Sequence, residues 1–101
     1  MKIYISGKIT GLEIADAEKK FADAAEKVAQ ISSEHVPVNP MAINLISPEK
    51  TWKDYMRADI DALFDCDAIL MLPCWIDSKG AKLEHIIADA LGLKIFYGEV
   101  K

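Results

Sequence analysis

Apolar residues along the chain fall into two patterns that take turns. Short, nearly unbroken runs occupy residues 2–5, 35–38, 68–72 and 94–97. Between them the apolar positions spread to helical spacing. Within residues 14–31, Phe21, Ala24, Ala25 and Val28 recur at i, i+3, i+4 and i+7, the stripe of a core-facing helix. Thr51 is an N-cap for a second helix over residues 53–65. Ser78 or Gly80 opens a third, which runs to Gly92, where a left-handed cap is expected. Its inward stripe reads Leu83, Ile86, Ile87, Ala90 and Leu91. Asn39-Pro40 marks a loop, and residues 41–49 show no period, so they read as an irregular connection.

The order is β-α-β-α-β-α-β in a single domain spanning 1–101. Unbroken apolar strands alternating with helices imply an α/β sandwich with a four-stranded parallel sheet covered on both faces. Right-handed crossovers permit a flavodoxin-like strand order 2-1-3-4. In that order ligands bind outside the carboxyl ends of strands one and three, where the direction of winding reverses. The loops at residues 6–11 and 73–80 follow those strands.

Composition narrows the partners. Twelve basic and sixteen acidic residues leave a net charge of −4, which argues against a nucleic-acid polymer. No apolar run approaches the ~20 residues that cross a bilayer, and the first residues read as a strand rather than a signal peptide. A cytoplasmic protein without a membrane partner is the expectation. Cys66 and Cys74 flank the strand at 68–72, too far apart along an extended segment for a disulfide, and are expected as reduced thiols.

Two carboxylates stand out. Trp52, Met56, Asp59 and Leu63 are spaced +4, +3, +4, so Asp59 falls on the apolar stripe of its helix. An inward carboxylate is costly unless it is bonded or lines a wet cleft. Glu84 lies just over one turn into the third helix, with Gly80 a turn before it on the same side. There it is either a surface residue favoured by the helix dipole or a group that a ligand can approach over the bare glycine. The loop Ser6-Gly7-Lys8-Ile9-Thr10-Gly11 offers backbone N–H groups to a phosphate or sugar but lacks P-loop spacing. Ser78 caps its helix or donates to a ligand. Trp75 is read as a pocket wall. His35 and His85, the latter on an outer helix face, have no metal-ligand partner at a recognisable spacing, so no metal is expected.

These segments together resemble the nucleoside 2-deoxyribosyltransferase superfamily, which includes the 2'-deoxynucleoside 5'-phosphate N-hydrolases. The resemblance spans nearly the whole chain. Its marks are residues 4–11 (YISGKITG), Asn39-Pro40, Trp52, Tyr55-Met56, Asp59, Cys66-Asp67 and, most specifically, residues 72–84 (LPCWIDSKGAKLE). It implies Glu84 as a nucleophile toward the anomeric carbon of a deoxyribose and Asp59 as the group assisting the departing base. Tyr4, Ser6, Gly7, Lys8, Gly11, Asn39, Trp75, Ser78 and Gly80 are then the expected substrate contacts. The implied substrate is a small nucleoside or nucleotide; no cofactor is implied, and a homodimer is. The chain departs from the superfamily in having Lys8 where the nucleotide hydrolases carry a small polar residue, and in ending four residues after Tyr97. A non-catalytic nucleotide-binding or sensing module on the same fold is the alternative.

Overall fold

The computed structural model describes residues 1–44, 47–73 and 75–100. Its strands are β1 (Lys2–Ser6), β2 (Val36–Val38), β3 (Ala68–Met71) and β4 (Lys94–Tyr97), all parallel in the order β2-β1-β3-β4. The helices are α1 (Ile14–Ile31), α2 (Pro40–Ile43), α3 (Trp52–Phe64) and α4 (Lys79–Ala90), with a 3-10 turn at Trp75–Asp77. This is a flavodoxin-like α/β fold. Among the described residues no helix is long and apolar enough to cross a membrane.

The strand order fixes which helix covers which face. The chain steps from β1 to β2 in one direction, then passes back over β1 to β3 and continues to β4. Right-handed crossovers therefore put α1 on one face and α3 and α4 on the other. The side chains divide accordingly, because successive strand residues point to opposite faces. Ile3, Ile5, Ala68, Leu70 and Phe96 meet Phe21, Ala24 and Val28 of α1. Tyr4, Ile69 and Met71 meet Leu63, Ala81 and Ala88 of α3 and α4. Ser6, two residues beyond Tyr4, shares its face and is buried.

Each helix start has a chemical cause. Thr51 and Asp54 form a reciprocal capping box at α3, each side chain accepting from the other's backbone N–H. Ser78 accepts from the Ala81 N–H at α4. Gly92, after α4, has φ +74°, the left-handed conformation expected there.

Two sequence expectations give way. The connection after β2 is not irregular at its start: Asn39 accepts from the Met41 N–H and Pro40 occupies the first turn of α2. A one-turn helix is too short to have a readable period. The inward face of α4 is Ala81, Glu84 and Ala88, not the bulky stripe; Leu83 and Ile87 are half-buried, and Ile86, Ala90 and Leu91 are exposed. Small residues win that face because the helix lies close to the sheet and to α3. At Gly80, an added Cβ would come within 3.1 Å of Met56 Sδ. Cys66 is a buried free thiol whose pKa burial pushes up to about 11; Cys74 lies outside the described residues.

Candidate active site at the strand switch point

Period-two alternation on β1 and the +3 spacing on α4 bring three polar groups to one point. Glu84 lies between Ala81 and Ala88 on the buried face of α4, directly over the carboxyl end of β1. Tyr4 Oη donates to its Oε2 at 2.6 Å and Ser6 Oγ donates to its Oε1 at 2.7 Å. The carboxyl is thus held at both oxygens, and each oxygen keeps a second lone pair. Glu84 is only 5% exposed.

Burial and hydrogen bonding oppose each other here. Desolvation raises the Glu84 pKa, the two hydroxyl donors lower it and the nearby Asp59 carboxylate raises it; burial prevails, at about 7. Tyr4 is pushed well above the ordinary phenol value by the same burial and by Glu84, so it remains a donor.

Asp59 reaches the same space from α3. Met56, Asp59 and Leu63 form the buried side of that helix, as the apolar stripe requires. Burial raises the Asp59 pKa, against a hydrogen bond from Asn44 and the Lys50 charge. The Asp59 Oδ1 accepts from Asn44 Nδ2 at 3.0 Å.

Asp59 and Glu84 line one cavity of about 590 Å³, a volume suited to a small organic ligand. It is lined by Gly7, Lys8, Ile9 and Thr10 after β1 and by Ser78, Lys79, Gly80 and Ala81 at the start of α4. Trp52, Tyr55 and Met56 of α3, with Pro40, Met41 and Asn44, also line it. Lys79 Nζ lies 4.3 Å from the Trp52 ring centroid, a cation–π contact that ties α4 to α3 at the cavity. Tyr55 is anchored by accepting from the Ser47 N–H and donating to its carbonyl.

Of the residues singled out in the sequence, Glu84, Asp59, Gly7, Lys8, Ser78 and Gly80 line the cavity. Tyr4 and Ser6 stand behind Glu84 and orient it. Gly80 fills a second role, since the space a side chain would need is taken by Met56. Five of the expected substrate contacts are absent from the lining: Tyr4 and Ser6, which sit behind Glu84, and Asn39, Gly11 and Trp75. Asn39 spends its side chain capping α2. Gly11 makes a left-handed turn at φ +89°. Trp75, expected as a wall, instead stacks on His85 with centroids 4.5 Å apart, and His85 Nε2 lies 2.7 Å from Tyr97 Oη. His85 is therefore half-buried in an aromatic group rather than projecting freely. Asn44 was missed altogether, since no period or motif marks it.

Gly7 gives a direct check on how tightly the loop is seated. A Cβ there would lie 3.1 Å from both Cβ and Cδ1 of the core residue Leu72. Gly7→Ala is expected to destabilise the fold by about 1–3 kcal/mol through overpacking, read as a lowered midpoint in urea unfolding.

The fold and the site define a class: a doubly wound α/β domain with a buried carboxylate pair in its switch-point cleft. The family model described as Domain of unknown function (DUF4406) matches residues 1–97, and the chain belongs to that family. Searches of the curated proteins and of the solved structures gave no match.

Proposed function

We propose that the protein cleaves, or transfers across, the N-glycosidic bond of a 2'-deoxynucleoside or its 5'-monophosphate, with Glu84 as nucleophile. The observation that carries this reading is the single cavity lined by both Asp59 and Glu84, the second held by two hydroxyl donors. The sequence resemblance to the nucleoside 2-deoxyribosyltransferase superfamily points the same way.

N-glycosidic cleavage develops positive charge on the sugar, as O-glycoside cleavage does, and a fixed carboxylate beside the ring can trap it. A Glu84 oxygen bonds to C1′ as the C1′–N bond breaks. The electron pair of that bond leaves with the base, whose nitrogen takes the Asp59 proton. Water, or the nitrogen of a second base, then bonds to C1′, releases Glu84 and returns a proton to Asp59. Tyr4 and Ser6 hold the nucleophile at the angle it needs, while Lys8, Ser78 and the loop from Gly7 are the contacts for the sugar or a phosphate.

The test is a chromatographic screen of deoxynucleosides and their 5'-monophosphates, with and without an acceptor base. Free base, or a new nucleoside when the acceptor is present, is the expected result. Ligands that bind but release no base under any condition would overturn the enzyme reading in favour of a binding module.

A further inference from the structure

Asn44 sits at the end of α2 with its side-chain amide buried against α3. Its Nδ2 donates to the Tyr55 carbonyl and to Asp59 Oδ1, both at 3.0 Å, and its Oδ1 accepts from Lys50 Nζ at 3.1 Å. The outer partners have one polarity each: a backbone carbonyl can only accept and an ammonium can only donate. They fix the orientation of the amide, which cannot flip without facing acceptor to acceptor and donor to donor.

We infer that Asn44 is a positioning residue for Asp59: its locked amide presents a donor to Oδ1 and thereby assigns any proton on this carboxyl to Oδ2. A carboxyl whose Oδ1 already accepts an N–H holds its proton on the other oxygen. The same donor favours the ionised form. Asn44 thus sets both where Asp59 carries its proton and how readily it yields it. Other charged or titratable groups that act on Asp59 or share its cavity are Lys50 before α3, Tyr55 on α3, Glu84 and Lys79 on α4, Tyr4 on β1, Lys8 after β1 and Asp77 before α4. All of these are retained in the variants below.

The inference rests on the proposed role of Asp59 in the reaction, but its test does not. The side-chain carboxyl carbon of Asp59 is titrated by NMR in the parent, in Asn44→Leu and in Asn44→Asp. Loss of the donor in Asn44→Leu is expected to raise the Asp59 midpoint by about one pH unit, and a second carboxylate in Asn44→Asp to raise it further. An unmoved Asp59 midpoint in either variant, shown folded by its amide spectrum, overturns the inference. In the unaltered protein the Asn44 side-chain NH2 signals should titrate with the midpoint of Asp59; independent titration overturns it without any variant. Failure of the parent to release base would instead overturn the proposed reaction and leave these titrations to judge Asn44. If base is released, Asn44→Leu should lower kcat more than tenfold on the scale of proton-transfer catalysis and leave KM nearly unchanged. A change confined to KM counts against the positioning role.

Discussion

Glu84→Gln is expected to reduce base release more than about a thousandfold, as loss of a covalent nucleophile does, while ligand binding is retained. The amide fits the same niche. Its carbonyl oxygen accepts one hydroxyl donor, and the other hydroxyl can rotate to accept from the new NH2, so neither Tyr4 nor Ser6 is orphaned. The same variant carries a stability signature that does not depend on the reaction. In the folded protein burial lifts the Glu84 pKa to about 7, above the 4.5 of an ordinary glutamate. Between those values the unfolded chain has released this proton and the folded chain still holds it, so stability falls as pH rises. The loss starts near pH 4.5 and is complete once pH passes about 7; from the 4.5-to-7 shift it amounts to about 3 kcal/mol. Glu84→Gln removes this pH dependence and should be the more stable protein at pH 8. Urea unfolding at pH 5 and pH 8 measures it. Parent and variant with parallel pH dependence would mean that Glu84 is not buried as described, and base release unaffected by the substitution would remove it from the nucleophile's role.

The four strands and the three long helices could be read from the chain because each has its own period, and crossover handedness permitted the strand order that the sheet has. Asp59 was legible for a related reason: a carboxylate on an apolar stripe contradicts the pattern around it. Glu84 was harder. The bulky residues Leu83, Ile86, Ile87 and Leu91 pull the apparent stripe of α4 away from it. Contact with the sheet and α3 favours the face with the smallest side chains, which runs through Ala81 and Ala88. Hydrophobicity alone does not encode how close two elements come. Asn44 had no legible signal. Its partners lie 6, 11 and 15 residues away, and one of them is a backbone carbonyl, which no side-chain pattern can announce. Trp75 was misjudged because an aromatic residue after a strand has no period to say which way it faces.

Asp59→Asn is expected to slow base release by about 10²- to 10⁴-fold, the range for loss of a general acid, and to change the shape of the pH profile. The two carboxyls share one cavity, and the Asp59 charge raises the cost of ionising Glu84, so the two are treated as a pair. The reaction as proposed uses the pair with a single proton, on Asp59, and Glu84 ionised. In the free protein Glu84, at about 7, is the more basic partner. Asp59 is raised from its usual range by burial, with the Asn44 hydrogen bond and Lys50 pulling it back. The singly protonated pair therefore exists between the raised Asp59 value and about pH 7, and kcat/KM for the parent should be bell-shaped across that window. Below it Glu84 stays protonated; above it no proton remains for the leaving base. With asparagine at position 59 the pair becomes a single group. Only Glu84 then titrates, and removal of the neighbouring negative charge lowers its pKa. The profile should become one rise with pH, its midpoint below 7, with no falling limb. Asparagine keeps the Oδ1 that accepts from Asn44, so the packing of α3 is preserved and the change in shape reads the proton alone. Persistence of the falling limb in Asp59→Asn would assign that proton to another group and remove Asp59 from the acid's role.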